Sequence, residues 1–247
     1  MTETGVELAM HARSLVLGYG DSRIIHEVTL RAEPASITAI LGPNGSGKST
    51  LMKGLCGLLP PVSGRLELFG KDVTGWETSK LVRNSLGYVP QVKNVFSSLT
   101  VRENLDLGAA TCRPLCHERM ERVFELFPDL HVAQKKTARV LSGGQRNMLA
   151  LGRALMTEPR LLLVDEPTAG LSPKYAEAVW DHLIRIRESG LGVIVVEQNV
   201  EAALENADAV YLLVSGSVAF EGSGSDLASD VNLANSFLGG VDRKTNG

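Results

Sequence analysis

The residues best suited to chemistry lie in a glycine-rich segment that follows a short apolar stretch. Residues 42–49 read GPNGSGKS, which fits the pattern G-x-x-x-x-G-K-[ST]. Glycines let such a loop wrap so that backbone N–H groups point at phosphate oxygens, and the helix start that follows favours negative charge. We predict that Lys48 reaches the β and γ phosphates of a nucleotide and that Ser49 ligates Mg²⁺. The predicted phosphate-binding residues are Gly42, Pro43, Asn44, Gly45, Ser46, Gly47, Lys48, Ser49 and Thr50.

A pair of carboxylates ends a second apolar stretch, residues 161–164. Asp165 and Glu166 follow it directly and precede Pro167. A parallel strand brings such carboxylates to the sheet edge where phosphates bind. We predict that Asp165 holds the metal ion and that Glu166 accepts a proton from the attacking water. Alone, the two carboxylates before Pro167 would favour a helix cap or a turn; the phosphate loop favours the catalytic interpretation instead.

A third segment, residues 141–145, reads LSGGQ at a predicted helix start. Its serine and two glycines offer a hydroxyl and unhindered N–H groups to an anion. Ser and Gly also suit an ordinary helix cap, so this segment gains meaning from the other two. The candidate ligand-binding residues here are Leu141, Ser142, Gly143, Gly144 and Gln145.

Together these motifs resemble the ATP-binding subunits of ATP-binding-cassette (ABC) transporters, from about Leu8 to Gly240. The resemblance implies a P-loop NTPase (RecA-like) α/β fold that binds ATP and Mg²⁺. It implies that Tyr19 stacks on adenine and that Gln91 contacts Mg²⁺ and water, although Tyr19 would also suit turn packing and Gln91 a surface loop. It identifies residues 141–145 as the family's signature and places residues 169–173 in the loop that crosses a dimer interface.

One position departs from the commonest family pattern. Where most members end the strand with a histidine, residues 195–199 read VVEQN, and none of the five histidines stands there. The amide of Gln198 can donate to a γ-phosphate oxygen, but it cannot become cationic. We therefore expect Gln198 to bind the γ phosphate and to position Glu166.

Four short segments narrow the resemblance to a subgroup of the family. They are VEQN at 196–199, LTVRENL at 99–105, LSP at 171–173 and FLGG at 237–240. Together they resemble the ATPases of branched-chain amino-acid uptake transporters and their amide and urea relatives. Many of those read V-P-E where this chain reads V-P-Q at 89–91, so the match is imperfect. Two alternatives stay open, namely an ABC ATPase for lipid or lipopolysaccharide export and a soluble ABC ATPase that acts on nucleic acid or translation.

The resemblance also implies an assembly, because the phosphate loop and the signature each occur once. In this family, the signature of one subunit caps ATP on another, so that two subunits enclose two nucleotides. We expect a second ATPase subunit, more often a paralogue than an identical chain, beneath integral-membrane permease subunits. A solute-binding protein would act indirectly, and the chain would lie on the cytoplasmic face of the plasma (inner) membrane.

Composition agrees with these expectations. The chain has 247 residues and a formal net charge of −3, which gives no reason to expect nucleic acid as a partner. Three cysteines, without an apparent signal peptide, suggest free thiols in a reducing compartment. A metal site at Cys112, Cys116 and His117 is disfavoured because it lacks paired spacing and a fourth ligand. No apolar run reaches the roughly 18 residues of a membrane span.

The elements that must position these residues are a mainly parallel sheet with helices, an antiparallel N-terminal β portion and an inserted α-helical subdomain. We predict short strands at 15–17 and 26–30, a strand at 37–41 and a helix at 49–59 that buries Leu51, Leu55 and Leu58. The predicted boundaries are about 8–91 and 157–222 for the core, 92–156 for the helical subdomain and 223–247 for the tail. Together they form one ABC ATPase domain over residues 1–247.

Overall fold

The computed structural model describes residues 7–92, 94–109 and 115–229, and the structural statements below refer to these. The ten strands are β1 (Met10–Tyr19), β2 (Ser22–Ala32), β3 (Ile37–Leu41), β4 (Ser63–Leu68), β5 (Lys71–Asp72), β6 (Leu86–Val89), β7 (Leu161–Asp165), β8 (Gly192–Val196), β9 (Ala209–Val214) and β10 (Ser217–Gly222). The helices are α1 (Lys48–Leu55), α2 (Thr78–Val82), α3 (Val101–Gly108), α4 (Cys116–Leu126), α5 (Pro128–Val132), α6 (Gly143–Leu155), α7 (Pro173–Glu188), α8 (Val200–Asn206) and α9 (Gly224–Ser229).

The main sheet has the strand order β10-β9-β3-β8-β7-β6. Strands β9, β3, β8, β7 and β6 pair in parallel, which confirms the predicted mainly parallel sheet. β10 was not predicted; it pairs antiparallel with β9 across a tight turn at Ser215 and Gly216, both with positive φ. Its residues alternate between partly buried and exposed, so it lacks the continuous apolar run that identified the other strands.

A second, antiparallel sheet of order β2-β1-β4-β5 confirms the predicted N-terminal β portion. The prediction of short strands at 15–17 and 26–30 was wrong in length, because β1 and β2 form a long hairpin. Register shifts in this pairing, for example between Ala12 and Leu15, interrupt the simple alternation of apolar and polar residues. Sequence periodicity therefore detects only part of each strand.

The predicted helix at 49–59 was also too long. α1 ends at Leu55, and Gly57 then takes a left-handed φ of 73° that turns the chain. Leu51 and Leu55 are buried as predicted, whereas Leu58 lies beyond the helix and is 56% exposed. The expectation that Leu58 belongs to the buried face was wrong.

Two apolar cores cover the two faces of the main sheet. On one face, side chains such as Ile40 pack with α1 and the antiparallel sheet. On the other, Ile37, Ala39 and Leu41 share a core with residues of α3–α8. Burial on both faces fixes the strands, so the loops at their carboxyl ends are held in place.

Helices α3 to α6 follow one another between β6 and β7, with a 3-10 turn at Ala138–Val140. Their apolar residues belong to the same core as one face of the main sheet. The boundaries drawn for a core, a helical subdomain and a tail remain predictions. The segment 237–240 lies outside the described residues. No described helix combines the length and the apolar character needed to cross a membrane.

Candidate nucleotide-binding site

Four neighbouring parallel strands bring most of the predicted site residues to one edge of the sheet. The phosphate loop follows β3, residues 197–198 follow β8, Asp165 ends β7 with Glu166 directly after it, and Gln91 lies just after β6. The carboxyl ends of parallel strands are where α/β sheets bind ligands. Residues far apart in sequence thus meet along one edge.

The phosphate loop has the conformation that its glycines allow. Gly42 has φ 152°, and a Cβ there would lie 2.2 Å from the carbonyl oxygen of Leu213. Gly47, the residue before α1, has φ 103°, and a Cβ there would lie 2.8 Å from a methyl carbon of Ile25. The glycines therefore permit both the left-handed turns and the close approach of neighbouring chain.

Lys48 is folded back over this loop and is only 4% exposed. Its Nζ donates hydrogen bonds to the carbonyl oxygens of Gly42, at 2.7 Å, and Pro43, at 3.1 Å. Burial lowers the pKa of Lys48, and the negative charges of Glu166 and Asp165 oppose that shift. The ammonium group is thus held against the loop, near enough to the two carboxylates for their charges to act on it.

Two polar atoms beside Lys48 are buried without a hydrogen-bond partner among the described residues. They are Ser46 Oγ and Asp165 Oδ1. Burial first, and then the charge of Glu166, raise the pKa of Asp165. Because a buried polar atom is costly without a partner, the pair marks a place for a ligand that brings oxygen atoms and positive charge. A nucleotide phosphate with a divalent cation fits that description.

Glu166 is held by side-chain amides from two other loops. Its Oε2 accepts hydrogen bonds from Gln91 Nε2 and from Gln198 Nε2, each at 2.7 Å. Glu166 is 8% exposed and has a φ of 45°, and its backbone N–H donates to the carbonyl oxygen of Val196. The structure thus brings together Gln91, Gln198 and Glu166.

The other predicted nucleotide-binding residues outside the signature include Ser49, Thr50 and Tyr19. Ser49 is exposed and Thr50 is half-buried in the first turn of α1. Tyr19 ends β1 with 49% of its surface exposed, and its hydroxyl oxygen accepts a hydrogen bond from Lys53 Nζ at 3.3 Å. An exposed aromatic ring at this position is available to a ligand.

The signature residues form the start of α6. Ser142 caps the helix, since its Oγ accepts from the N–H of Gln145 at 3.2 Å, while the Gln145 side chain accepts from the N–H of Ser142 at 3.1 Å. Among the described residues, no hydrogen bond joins these residues to the phosphate loop. Gly143 does line a cavity of about 330 Å³ that also borders Gln91, Asp165 and Glu166.

Sequence reasoning missed a buried carboxylate next to the predicted site. Glu197 is 1% exposed, and its two oxygens accept hydrogen bonds from the N–H and the hydroxyl of Thr168 at 3.1 and 2.9 Å. Its Oε2 also accepts from the N–H of Gln198 at 3.1 Å. Burial raises the pKa of Glu197, and these hydrogen bonds oppose the shift. A charged residue directly after an apolar strand was the available signal.

The cysteine cluster can be described only in part, because Cys112 lies outside the described residues. Cys56 and Cys116 are free thiols, and burial raises the pKa of Cys56 to about 11. His117 is exposed. Within the described ranges, no group of three or more His, Cys, Asp or Glu side chains is placed to hold a metal ion.

Comparison with known proteins agrees with this geometry. Residues 25–169 match the family described as ABC transporter. The chain is 41% identical over 227 residues to the probable branched-chain amino acid transport ATP-binding protein LivF of Archaeoglobus fulgidus, covering 91% of this chain and 96% of that protein. It is 38% identical over 223 residues to the high-affinity branched-chain amino acid transport ATP-binding protein BraG of Pseudomonas aeruginosa, covering 90% and 96%.

A crystal structure of the ADP conformation of an ATP-binding cassette of an ABC transporter has a TM-score of 0.85 to this fold at 27% identity, covering 92% of this chain and 97% of that one. The predicted ABC ATPase fold and the resemblance to branched-chain amino-acid transport ATPases are therefore confirmed. The phosphate loop, the carboxylates and the signature accordingly belong to one cassette. The chain is a member of the ABC transporter family, in which it is an ATP-hydrolysing subunit that couples ATP hydrolysis to transport.

Proposed function

We propose that this subunit energises the uptake of branched-chain amino acids, or of related amides or urea, by hydrolysing ATP at the edge formed by β3, β8, β7 and β6. The observation that carries the catalytic part is the Glu166 carboxylate, held by two amides beside the Lys48 loop. The cargo is proposed from the similarity to LivF and BraG, whose names refer to branched-chain amino acid transport.

The residues around the loop fit ATP with Mg²⁺. Lys48 can exchange its two carbonyl acceptors for β- and γ-phosphate oxygens, because its ammonium group is at the end of a flexible side chain. Ser49, Gln91 and Asp165 would hold Mg²⁺, directly or through water. When bound, the metal ion supplies positive charge that neutralises the phosphate oxygens.

Glu166 is the proposed general base. Its Oε2 already accepts two amide hydrogen bonds, whereas its Oε1 accepts none from the described residues. Oε1 is thus the atom that can take a proton from the attacking water, a contribution of about 10²–10⁴ in rate. Gln198 orients the carboxylate and donates to the γ phosphate without adding a titrating charge. Replacing Gln198 with Ala should lower ATP turnover; unchanged turnover would contradict this role.

The signature half of the site is proposed to act on a nucleotide of another subunit. Ser142 and Gly144 would bind the γ phosphate opposite Lys48 of the partner, so that ATP joins the two subunits and hydrolysis releases them. We favour a paralogue as that partner. The surface between Gln91 and Val140 is proposed to contact permease subunits, which would place the chain peripherally on the cytoplasmic face of the plasma (inner) membrane, with a solute-binding protein acting indirectly.

The proposed association of two subunits through ATP can be tested with a variant that binds ATP but does not hydrolyse it. Glu166→Gln keeps the side-chain shape but removes the base, so ATP should bind without turnover and shift the chain to a dimer in size-exclusion chromatography. If the favoured partner is a paralogue, the paralogue is added in equal amount. Glu103→Gln is the matched control, because Glu103 accepts hydrogen bonds from Thr100 at the start of α3, away from the sheet edge. A Glu166→Gln protein that elutes as a monomer with ATP, with and without the paralogue, would contradict the proposed dimer that encloses two nucleotides.

The alternatives make different predictions. Capture of a permease from membranes would exclude a soluble ATPase that acts on nucleic acid or translation. Uptake of labelled leucine, or of an amide or urea, by cells that carry the wild-type chain but not the Glu166→Gln chain would then favour import. Loss of lipid or lipopolysaccharide export instead would favour the exporter alternative.

A further inference from the structure

Glu197 is a fully buried carboxylate for which the ATPase chemistry above has no use. It is 1% exposed, and its oxygens accept hydrogen bonds from the loops that follow β7 and β8. Three of its hydrogen-bond donors are the N–H and hydroxyl of Thr168, two residues after Glu166, and the N–H of Gln198. It therefore joins the loop that follows the catalytic carboxylate to the loop that carries the amide on that carboxylate.

Four hydrogen bonds connect the ends of β7 and β8 in this region. The N–H of Glu166 donates to the carbonyl oxygen of Val196, and Thr168 donates twice to Glu197. Gln198 then returns a hydrogen bond to Glu166 Oε2 at 2.7 Å. Together they form a closed circuit from Glu166 through Thr168 and Glu197 to Gln198 and back.

The circuit also reaches the signature helix. Asn147, in the second turn of α6, donates its side-chain N–H to the carbonyl oxygen of Pro167, which lies between Glu166 and Thr168. Movement of α6 would therefore move the residues that Glu197 holds. The same chain thus links its signature half to its own catalytic carboxylate.

We propose that Glu197 is a positioning residue, which locks the Pro167–Thr168 turn to Gln198 so that the Gln198 amide is held on Glu166. A carboxylate suits this task because it only accepts hydrogen bonds and can receive all three donors. Glutamine in the same place has one acceptor oxygen and an NH₂ group, so at least one backbone N–H would face another donor. The inference rests on the proposed role of Glu166 only for its effect on turnover.

The test is Glu197→Gln in the full chain, with Asp226→Asn as its matched control. Asp226 also accepts hydrogen bonds from the N–H and hydroxyl of one residue, Ser223, but at the start of α9. We expect Glu197→Gln to lower kcat roughly 10- to 100-fold, the scale of a small misplacement of catalytic groups, while KM for ATP stays within about twofold. Asp226→Asn should leave both kcat and KM unchanged.

A second measurement needs no nucleotide. In ¹H–¹⁵N correlation spectra, the side-chain NH₂ signal of Gln198, assigned by its loss in Gln198→Ala, should move towards that of a free amide in Glu197→Gln. Thr168→Val removes only the hydroxyl donor and should give a smaller shift, which guards against a Glu197→Gln protein that fails to fold.

The outcomes separate this inference from the catalytic proposal. A changed Gln198 signal with lowered kcat supports both. A changed signal with unchanged kcat supports the positioning by Glu197 and overturns the proposal that the Gln198 amide orients Glu166 for catalysis. An unchanged Gln198 signal in both folded variants overturns the inference.

Discussion

The glycine-rich starts of α1 and α6 differ in how they use their polar groups. α1 begins after Gly47, which has no side chain to cap the helix. The Lys48 ammonium group instead donates hydrogen bonds to the carbonyl oxygens of the loop. α6 begins with a capping box, in which the side chains of Ser142 and Gln145 each accept a hydrogen bond from the backbone N–H of the other residue. The first start is an open anion cradle with carboxylates beside it, whereas the second already satisfies part of its own hydrogen-bonding capacity.

This difference shows why similar composition does not give equivalent sites. The phosphate loop follows a buried parallel strand, so neighbouring strands deliver Asp165 and Glu166 to it. The signature follows a 3-10 turn in a helical segment, and the described residues offer it no hydrogen-bonding lysine or carboxylate from that edge. On the proposed function, the second site becomes complete only against another subunit.

The largest expected effect is on the open cradle. Lys48→Ala should weaken ATP binding by at least about 3 kcal/mol, or roughly a hundredfold, because two charge-assisted contacts of about 1.5–3 kcal/mol each are lost. Binding of a fluorescent ATP analogue measures this. Lys136→Ala removes an equal charge from an exposed position and should have no effect. Equal affinities for the two variants would remove the main distinction between the helix starts.

The next effect tests the self-capped start. Ser142→Ala should destabilise the protein by about 1 kcal/mol through loss of the cap, and should also weaken ATP-driven association in the Glu166→Gln background about tenfold or more. Thr100→Ala is the matched control, because Thr100 and Glu103 form the same box on α3. Urea unfolding should show similar losses for both variants. Association that falls equally in both would mean that Ser142 acts only as a cap.

A smaller effect concerns the base of the nucleotide. Tyr19→Ala should weaken ATP binding by about 1 kcal/mol, the lower end for base–aromatic stacking, because the ring is half exposed. Tyr19→Phe keeps the ring but loses the hydrogen bond from Lys53, and should bind ATP like the wild type. If both substitutions weaken binding to the same degree, the hydroxyl rather than the ring is responsible.

The sequence predicted the structure around the site best where a motif directly follows an apolar strand. Residues 37–41 form a short strand that is apolar except for Thr38 and directly precedes the glycine loop, so the positions of both the strand and the loop were predicted correctly. Prediction was poorer where long-range pairing sets the structure. Examples are the bulged β1–β2 hairpin and β10, whose strand character comes from its partner. The role of Glu197 could not be predicted, because it depends on Thr168, 29 residues away, folding onto the end of the next strand.

The last expected effect concerns His182, which packs behind the signature helix. His182 borders a cavity of about 230 Å³ with Ser142 and Gly144, and both of its ring nitrogens are buried without a partner among the described residues. Burial first, and then Arg185, lower its pKa below the ordinary value of 6.5, while Asp181 and Asp129 oppose this shift.

Protonation of His182 therefore favours the unfolded chain, which binds more protons than the folded one once the pH falls below about 6.5. The free energy of unfolding should decrease on acidification from about pH 7.5 to about pH 5.5, with a contribution from His182 of at most about 1.4 kcal/mol per pH unit. His182→Gln cannot be protonated and should show a shallower decrease in urea unfolding. His117→Gln, at an exposed histidine, should follow the wild type. Parallel curves for wild type and His182→Gln would mean that protonation does not disturb the signature side of the molecule.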